Sequence, residues 1–166
     1  RVLSYDYYTY SHSVNVCLYA IAIGKKLSLS DSELSELAHG AILHDIGKSK
    51  ISDKILNKEG PLDESEFTTM KTHTTLGESI LVKLGEKSQI ILDSVAYHHE
   101  KLDGGGYPKG LKDGEIPYYA QIIAVADVFD ALTTKRSYKD ALGSFAALRV
   151  MRDKMEGHLE IGRASC

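Results

Sequence analysis

Apolar residues recur at spacings of three and four along most of the chain. Between Tyr10 and Leu27 they fall at Val14, Cys17, Leu18, Ile21 and Ala22, the one-sided stripe of an amphipathic helix. A second helix is predicted to begin near Ser30. Ser30 and Glu33 have the spacing of a capping box, and Leu34, Leu37, Ala38, Ala41 and Ile42 continue the stripe. Asp63 and Glu66, after Gly60-Pro61, mark another start, with helical pattern through Phe67, Met70 and His73 to Leu84. Lys87 to His99 reads as a further helix, followed by a glycine-rich loop from Asp103 to Gly114. Pro117 suits the first turn of the next helix, which carries Ile122, Val125, Ala126 and Phe129. A last helix is expected from about Asp140 to Met155. The strict alternation of strands is almost wholly missing. The predicted fold class is therefore all-α, a helical bundle in which ligands project inward from facing helices.

A length of 166 residues suits one domain with one core. Residues 1–156 read as that domain, and 157–166 as a patternless tail, disordered or added. The abrupt opening at Arg1 reads as a piece of a longer protein. The formal net charge of −3 excludes the broad positive field that a nucleic-acid polymer needs. A small anion could still be held by a few cations or metal ions. No apolar run approaches 18 residues, so no membrane span is expected. Cys17, in an apolar stretch, reads as core filler. With Cys166 it makes no disulfide framework, which fits a reducing cytosol.

The seven histidines change the picture. His44 is followed directly by Asp45, His98 and His99 are adjacent, and His12 and His73 each lie within a predicted helix. Asp127 interrupts the apolar run from Ile122 to Phe129, where a buried carboxylate is costly unless paired or bound to metal. Imidazole with carboxylate suits Mn, Fe, Zn or Ni. A carboxylate has two oxygens and can bridge two ions, so Asp45 is the natural bridge if two are bound. Lys48, four residues after His44, could face a phosphate oxygen if the helix continues. Taken singly, a His-Asp pair is more often a surface or capping feature, and adjacent histidines are often solvated. Four histidines and two carboxylates in apolar helical contexts, spread over four segments that could converge, favour a shared site.

Several motifs also resemble a known family. His44-Asp45-Ile46-Gly47-Lys48 resembles HDIGK. His98-His99-Glu100 followed by Asp103-Gly104-Gly105-Gly106-Tyr107-Pro108 resembles HHE and DGxGYP. Residues 116–133 resemble IPxxARIIAVADVFDALT, Arg136-Ser137-Tyr138-Lys139 resembles RPYK, and Tyr8-Thr9 with His12-Ser13 resembles YTxxHS. In this order, over roughly residues 6 to 155, they are similar to the HD-GYP family. The resemblance implies an HD-domain helical bundle with a central metal site that hydrolyses cyclic di-GMP to pGpG, with the further step to GMP left open. It implies two divalent ions, Fe or Mn, with Ni or Zn compatible. His44, Asp45 and Asp127 would hold one. Asp45 would bridge to the other, held by His73, His98 and His99, and His12 matches a further ligand position. Asp45 and Lys48 would be catalytic, the ions activating a water that attacks phosphorus in line. Lys48, Arg136 and Lys139 match phosphate-contacting positions, and Tyr107 would stack on a guanine at the mouth.

There are departures from the pattern. Tyr8 stands where some members carry a Glu and bind three metals, so two are expected. Gln121 replaces the usual Arg and Ser137 the usual Pro. Asp130 matches a family position and is expected to be structural or to support a ligand from behind, His39 to lie on the surface or behind a ligand, and His158 is assigned nothing. Such domains often follow a receiver or sensory domain. The competing readings are an HD hydrolase for another cyclic dinucleotide or nucleotide, a catalytically silent binding module, and a structural helical domain.

Overall fold

The structure, a computed structural model, describes residues 2–135 and 141–155, with side chains described for 10–135 and 141–153. Eight α-helices are present among the described residues: α1 (Val2–Lys26), α2 (Asp31–Leu43), α3 (Asp53–Leu56), α4 (Glu64–Lys71), α5 (His73–Lys83), α6 (Gln89–Tyr97), α7 (Tyr118–Thr133) and α8 (Ser144–Met155). A 3-10 helix, Ile46–Lys50, joins α2 to α3. The described residues contain no strand, only an isolated bridge between Asp103 and Lys112 that closes the glycine-rich loop. None of the described helices is long and apolar enough to cross a membrane.

Both capping boxes form. The Ser30 hydroxyl accepts from Glu33 N–H while the Glu33 carboxylate accepts from Ser30 N–H, which satisfies two of the donors a helix start leaves unpaired. Asp63 and Glu66 do the same for α4, both contacts at 2.8 Å.

Elsewhere the expected boundaries move. The segment from Asp63 to Leu84 is two helices, because Thr72 caps α4 by donating its N–H to Thr69 and Met70 carbonyls, and α5 restarts at His73. The expected Lys87–His99 helix begins only after Ser88, whose hydroxyl caps α6, and ends at Tyr97. His98 is its C-cap and His99 lies beyond it. Pro117 is the N-cap of α7, not part of its first turn. α8 starts at Ser144, while Asp140 lies outside the described residues, as do the tail and His158. Helix α2 does not run on to Lys48 either. It stops at Leu43 and the chain tightens into the 3-10 turn.

The main apolar cluster is Val16 and Ala20 of α1, Leu37 and Ala41 of α2, and Ile122, Ile123 and Ala126 of α7. Each large side chain buried there stabilises the fold by roughly 1.5–3 kcal/mol. A second cluster, Leu81, Ile91 and Val95 with Leu43 and Ile46, locks α5 and α6 against the 3-10 turn. Met151 of α8 packs on Ala124, Val125 and Phe129 of α7. Cys17 is a half-buried free thiol at the edge of the first cluster. The chemistry-bearing residues sit between the first two clusters, where α1, α2, α5, α6 and α7 meet.

Candidate metal centre

Three histidines are aimed by one local device. His44 is the C-cap of α2, His98 the C-cap of α6, and His73 follows the cap of α4. In each, Nδ1 lies against the backbone carbonyl three residues earlier: Ala41 at 2.7 Å, Met70 at 2.8 Å and Val95 at 3.0 Å. Those carbonyls lie in the last turn of a helix, where the regular acceptor pattern runs out. A carbonyl can only accept, so each Nδ1 carries the proton and each Nε2 presents a lone pair. All three rings are almost fully buried.

The Nε2 atoms converge on Asp45. The His44 Nε2 lies 3.3 Å from Asp45 Oδ2, the His73 Nε2 3.3 Å from Oδ1 and the His98 Nε2 3.9 Å from Oδ1. The His73 and His98 Nε2 atoms are 3.5 Å apart. His12 arrives from α1, its Nε2 at 3.3 Å from Asp127 Oδ1 and 3.8 Å from Asp45 Oδ2. Its other nitrogen donates to Asp130 Oδ2 at 2.7 Å. Asp130 is fully buried and is itself held by Asn15 Nδ2 and Thr134 Oγ1, both at 2.8 Å. The chain Asp130–His12 is the carboxylate–imidazole arrangement that orients a metal-ligating ring. Asp130 thus stands behind His12, and nothing in the sequence singles out Asn15, which stands three residues after His12 on the same helix.

Two sets of ligand atoms each lie within 4.8 Å of one another: Asp45, His73, His98 and His99, and His12, His44 and Asp127. Buried His44 Nε2 and Asp45 Oδ1 have no hydrogen-bond partner. Orphaned polar atoms of this kind are expensive in a dry interior. A cation between the sets would satisfy both, so the residues present fit divalent ions held by imidazole and carboxylate. His12, expected only as a further position, falls in the set with His44 and Asp127.

The electrostatics divide the cluster. Burial pushes the His73 and His98 imidazoles down, and the neighbouring His99 adds to the effect on His98. Burial takes His99 down to about 4. These three stay neutral, the form in which an imidazole ligates metal. Burial also opposes charge on His12, but Asp127 and Asp130 outweigh it and lift that ring to about 9. His44 is likewise raised, Asp45 overcoming its burial. Asp45 and Asp127 are held below the usual carboxylate range despite burial, the first by His44 and Lys48, the second by His12 and His44.

The 3-10 turn brings Lys48 Nζ to 2.5 Å from Asp45 Oδ2, with the amine partly open to solvent. Tyr107 lies over His99, ring centroids 4.8 Å apart, and its backbone N–H donates to the His99 carbonyl at 3.1 Å. Glu100 fixes this loop. Its buried carboxylate accepts from Lys109 N–H at 2.6 Å and Leu111 N–H at 2.9 Å. The loop returns so closely that a Cβ at Gly106 would sit 2.4 Å from Glu100 Cα. The only hint in the sequence was an acidic residue wedged between two histidines and a glycine-rich loop. His39 is exposed on α2. Gln121 donates to the Ile116 carbonyl at 2.9 Å, a contact that ties α7 to the residue before its N-cap. Arg136 and Lys139 lie outside the described residues, as does the Tyr8 side chain.

The chain is similar to several known proteins. A cyclic di-GMP phosphodiesterase of Pseudomonas aeruginosa, PA4108, is 39% identical over 160 residues, covering 96% of this chain and 38% of that protein. A 3'3'-cGAMP-specific phosphodiesterase of Vibrio cholerae, number 3, is 41% identical over 148 residues, covering 89% of this chain and 32% of that protein. The chain thus spans about a third of the length of these curated relatives. The solved structure of Bd1817, an HDG"Y"P protein from Bdellovibrio bacteriovorus, superposes with a TM-score of 0.73 at 23% identity, over 91% of this chain and 48% of that one. The HD domain family model matches residues 6–163. The chain therefore belongs to the HD domain family, and it carries that family's HD-GYP motifs.

Proposed function

We propose that this domain is a divalent-metal-dependent phosphodiesterase that opens cyclic di-GMP to pGpG. The observation that carries the reading is the convergence of four imidazole Nε2 atoms on the Asp45 carboxylate, with Asp127 against His12, beside Lys48 and Tyr107. The names borne by the Pseudomonas and Vibrio relatives support the substrate class. His12, His44 and Asp127 would hold one ion and His73, His98 and His99 the other, with Asp45 between them. Bound ions would supply Lewis acidity to a phosphate oxygen and a water acidified to near neutral pH. Lys48 contributes a cation beside the charge that develops on the phosphate. Tyr107 offers an aromatic face to a guanine, and burial raises its phenol so that it stays uncharged. Arg136 and Lys139 are assigned to phosphate positioning on their motif alone. Fe(II) and Mn(II) suit the mixed nitrogen and oxygen donor set, and Ni or Zn is compatible. In the full-length protein a receiver or sensory domain would supply the input.

Hydrolysis of 3'3'-cGAMP is the second reading, favoured by the 41% identity to the Vibrio enzyme. Protein purified anaerobically and supplied with Fe(II) or Mn(II) separates the two when both dinucleotides are offered side by side. Release of pGpG with about two ions per chain is expected. Turnover of 3'3'-cGAMP alone would select the second reading, and bound metal without any turnover would reject both.

Asp130→Ala is expected to weaken metal retention about ten- to a hundredfold, because His12 loses the acceptor that sets its tautomer and angle. Titration with a competing chelator checks this. Retention equal to the parent protein would remove His12 from the ligand set.

A further inference from the structure

An aromatic side chain at the mouth is not used by the reading above. Phe67 of α4 is 48% exposed. Its ring meets Tyr107 edge-to-face, centroids 6.5 Å apart. The Lys71 ammonium, one helical turn on, lies 5.1 Å from the Phe67 ring centroid. Tyr107 in turn stands 4.8 Å from His99 and 6.3 Å from His73. Phe67 is therefore one ring further out from the metal centre than Tyr107. Helix α4 is placed firmly: the Asp63–Glu66 capping box fixes its start, Lys58 pairs with Glu66, and the Met70 carbonyl is tied to His73 Nδ1. The same short helix that aims a ligand histidine thus presents an aromatic ring and a cation to whatever lies over the centre.

A cyclic dinucleotide has two purines and two phosphates, and only one phosphate can be cleaved at a time. Tyr107 and Lys48 can serve the half being cleaved. The other half needs a π-face and a positive charge further out.

Resting on the functional reading above, we propose that Phe67 and Lys71 form a second recognition wall, with Phe67 stacking on the purine of the half not being cleaved and Lys71 facing its phosphate. Stacking accepts any base, because every base has a π-face. The wall therefore supplies affinity for purine dinucleotides without telling guanine from adenine.

The test uses Phe67→Ala, Phe67→Trp and Lys71→Gln in the metal-loaded protein, with metal content and melting temperature measured on each. Loss of one base stack should raise KM about tenfold for cyclic di-GMP and 3'3'-cGAMP alike in Phe67→Ala, with kcat within about twofold of the parent. Lys71→Gln should raise KM about threefold, and more at low salt. The chain has no native tryptophan, so Phe67→Trp introduces a single fluorophore at the wall. Its emission should be quenched saturably by the phosphorothioate analogue of cyclic di-GMP, while KM stays near that of the parent. An unchanged KM in Phe67→Ala, or tryptophan emission unmoved while the analogue binds, overturns the wall. A fall in kcat, metal content and melting temperature together, at constant KM, also overturns it and makes Phe67 a support for α4. Quenching in a protein that cleaves neither dinucleotide upholds the wall and rejects the catalytic reading instead.

Discussion

An Asp45→Ala protein will lose cyclic di-GMP hydrolysis by a factor on the order of ten thousand or more, the scale seen when one member of a catalytic unit is removed. The reason is geometric. Asp45 lies within 4 Å of His12, His44, His73 and His98 Nε2 and of Lys48 Nζ. Removing it leaves buried imidazoles with no counter-charge between the two ligand sets. Metal content should fall in the same preparation, toward fewer than two ions per chain. Asp45→Asn, which keeps the shape and one oxygen, separates loss of bridging charge from loss of packing. Circular dichroism of both variants checks that α2 and α6 persist. Hydrolysis of cyclic di-GMP at the parent rate by Asp45→Ala would sink the assigned centre.

Gly47→Ala will destabilise the fold by about 3 kcal/mol or more. A Cβ there would lie 1.8 Å from the His73 carbonyl oxygen and 2.6 Å from Gly77 N, and both are backbone atoms. No rotamer change relieves such a clash. The 3-10 turn and α5 must separate by more than an ångström, and that parts Asp45 from His73. For a domain of this size the melting temperature should drop by about 6–12 °C, measured in chelator so that metal does not mask the effect. Gly143→Ala is the matched control, since nothing lies within 4 Å of its added methyl. Equal melting temperatures for the two variants would show that the backbone approach at Gly47 is looser than described.

The parts of this fold that the sequence made legible are the ones governed by neighbours three and four residues apart. Ser30 with Glu33 and Asp63 with Glu66 announce helix starts because both partners lie within one turn. The break at Thr72 was not legible. His73 continues the apolar period, and what stops α4 is the Thr72 cap and the capture of the Met70 carbonyl by the His73 ring. The 3-10 turn was missed for a related reason: five residues are too few for a period to register, and its cause is a contact with α5, far along the chain. At the centre, residue type and apolar context single out His44, Asp45, His73, His98, His99 and Asp127, and motif resemblance assigns them as ligands; periodicity alone could not have chosen them. The supporting contacts are less legible. Asp130 matches a family position, but the sequence does not show that it reaches His12 across 118 positions, and Glu100 acts on backbone N–H groups that carry no residue identity.

The aiming of His44, His73 and His98 has an evolutionary consequence. Each ring is oriented by a main-chain carbonyl, and every residue type supplies one. Ala41, Met70 and Val95 can therefore drift to any side chain of fitting volume without disturbing the tautomer of the histidine that follows. His12 alone leans on a side chain, Asp130, and is the member of the set that a single distant substitution can unsettle. Lineages of such domains should diverge first on the α1 side of the centre, while the other three histidines hold their geometry through wide changes in the helices that carry them.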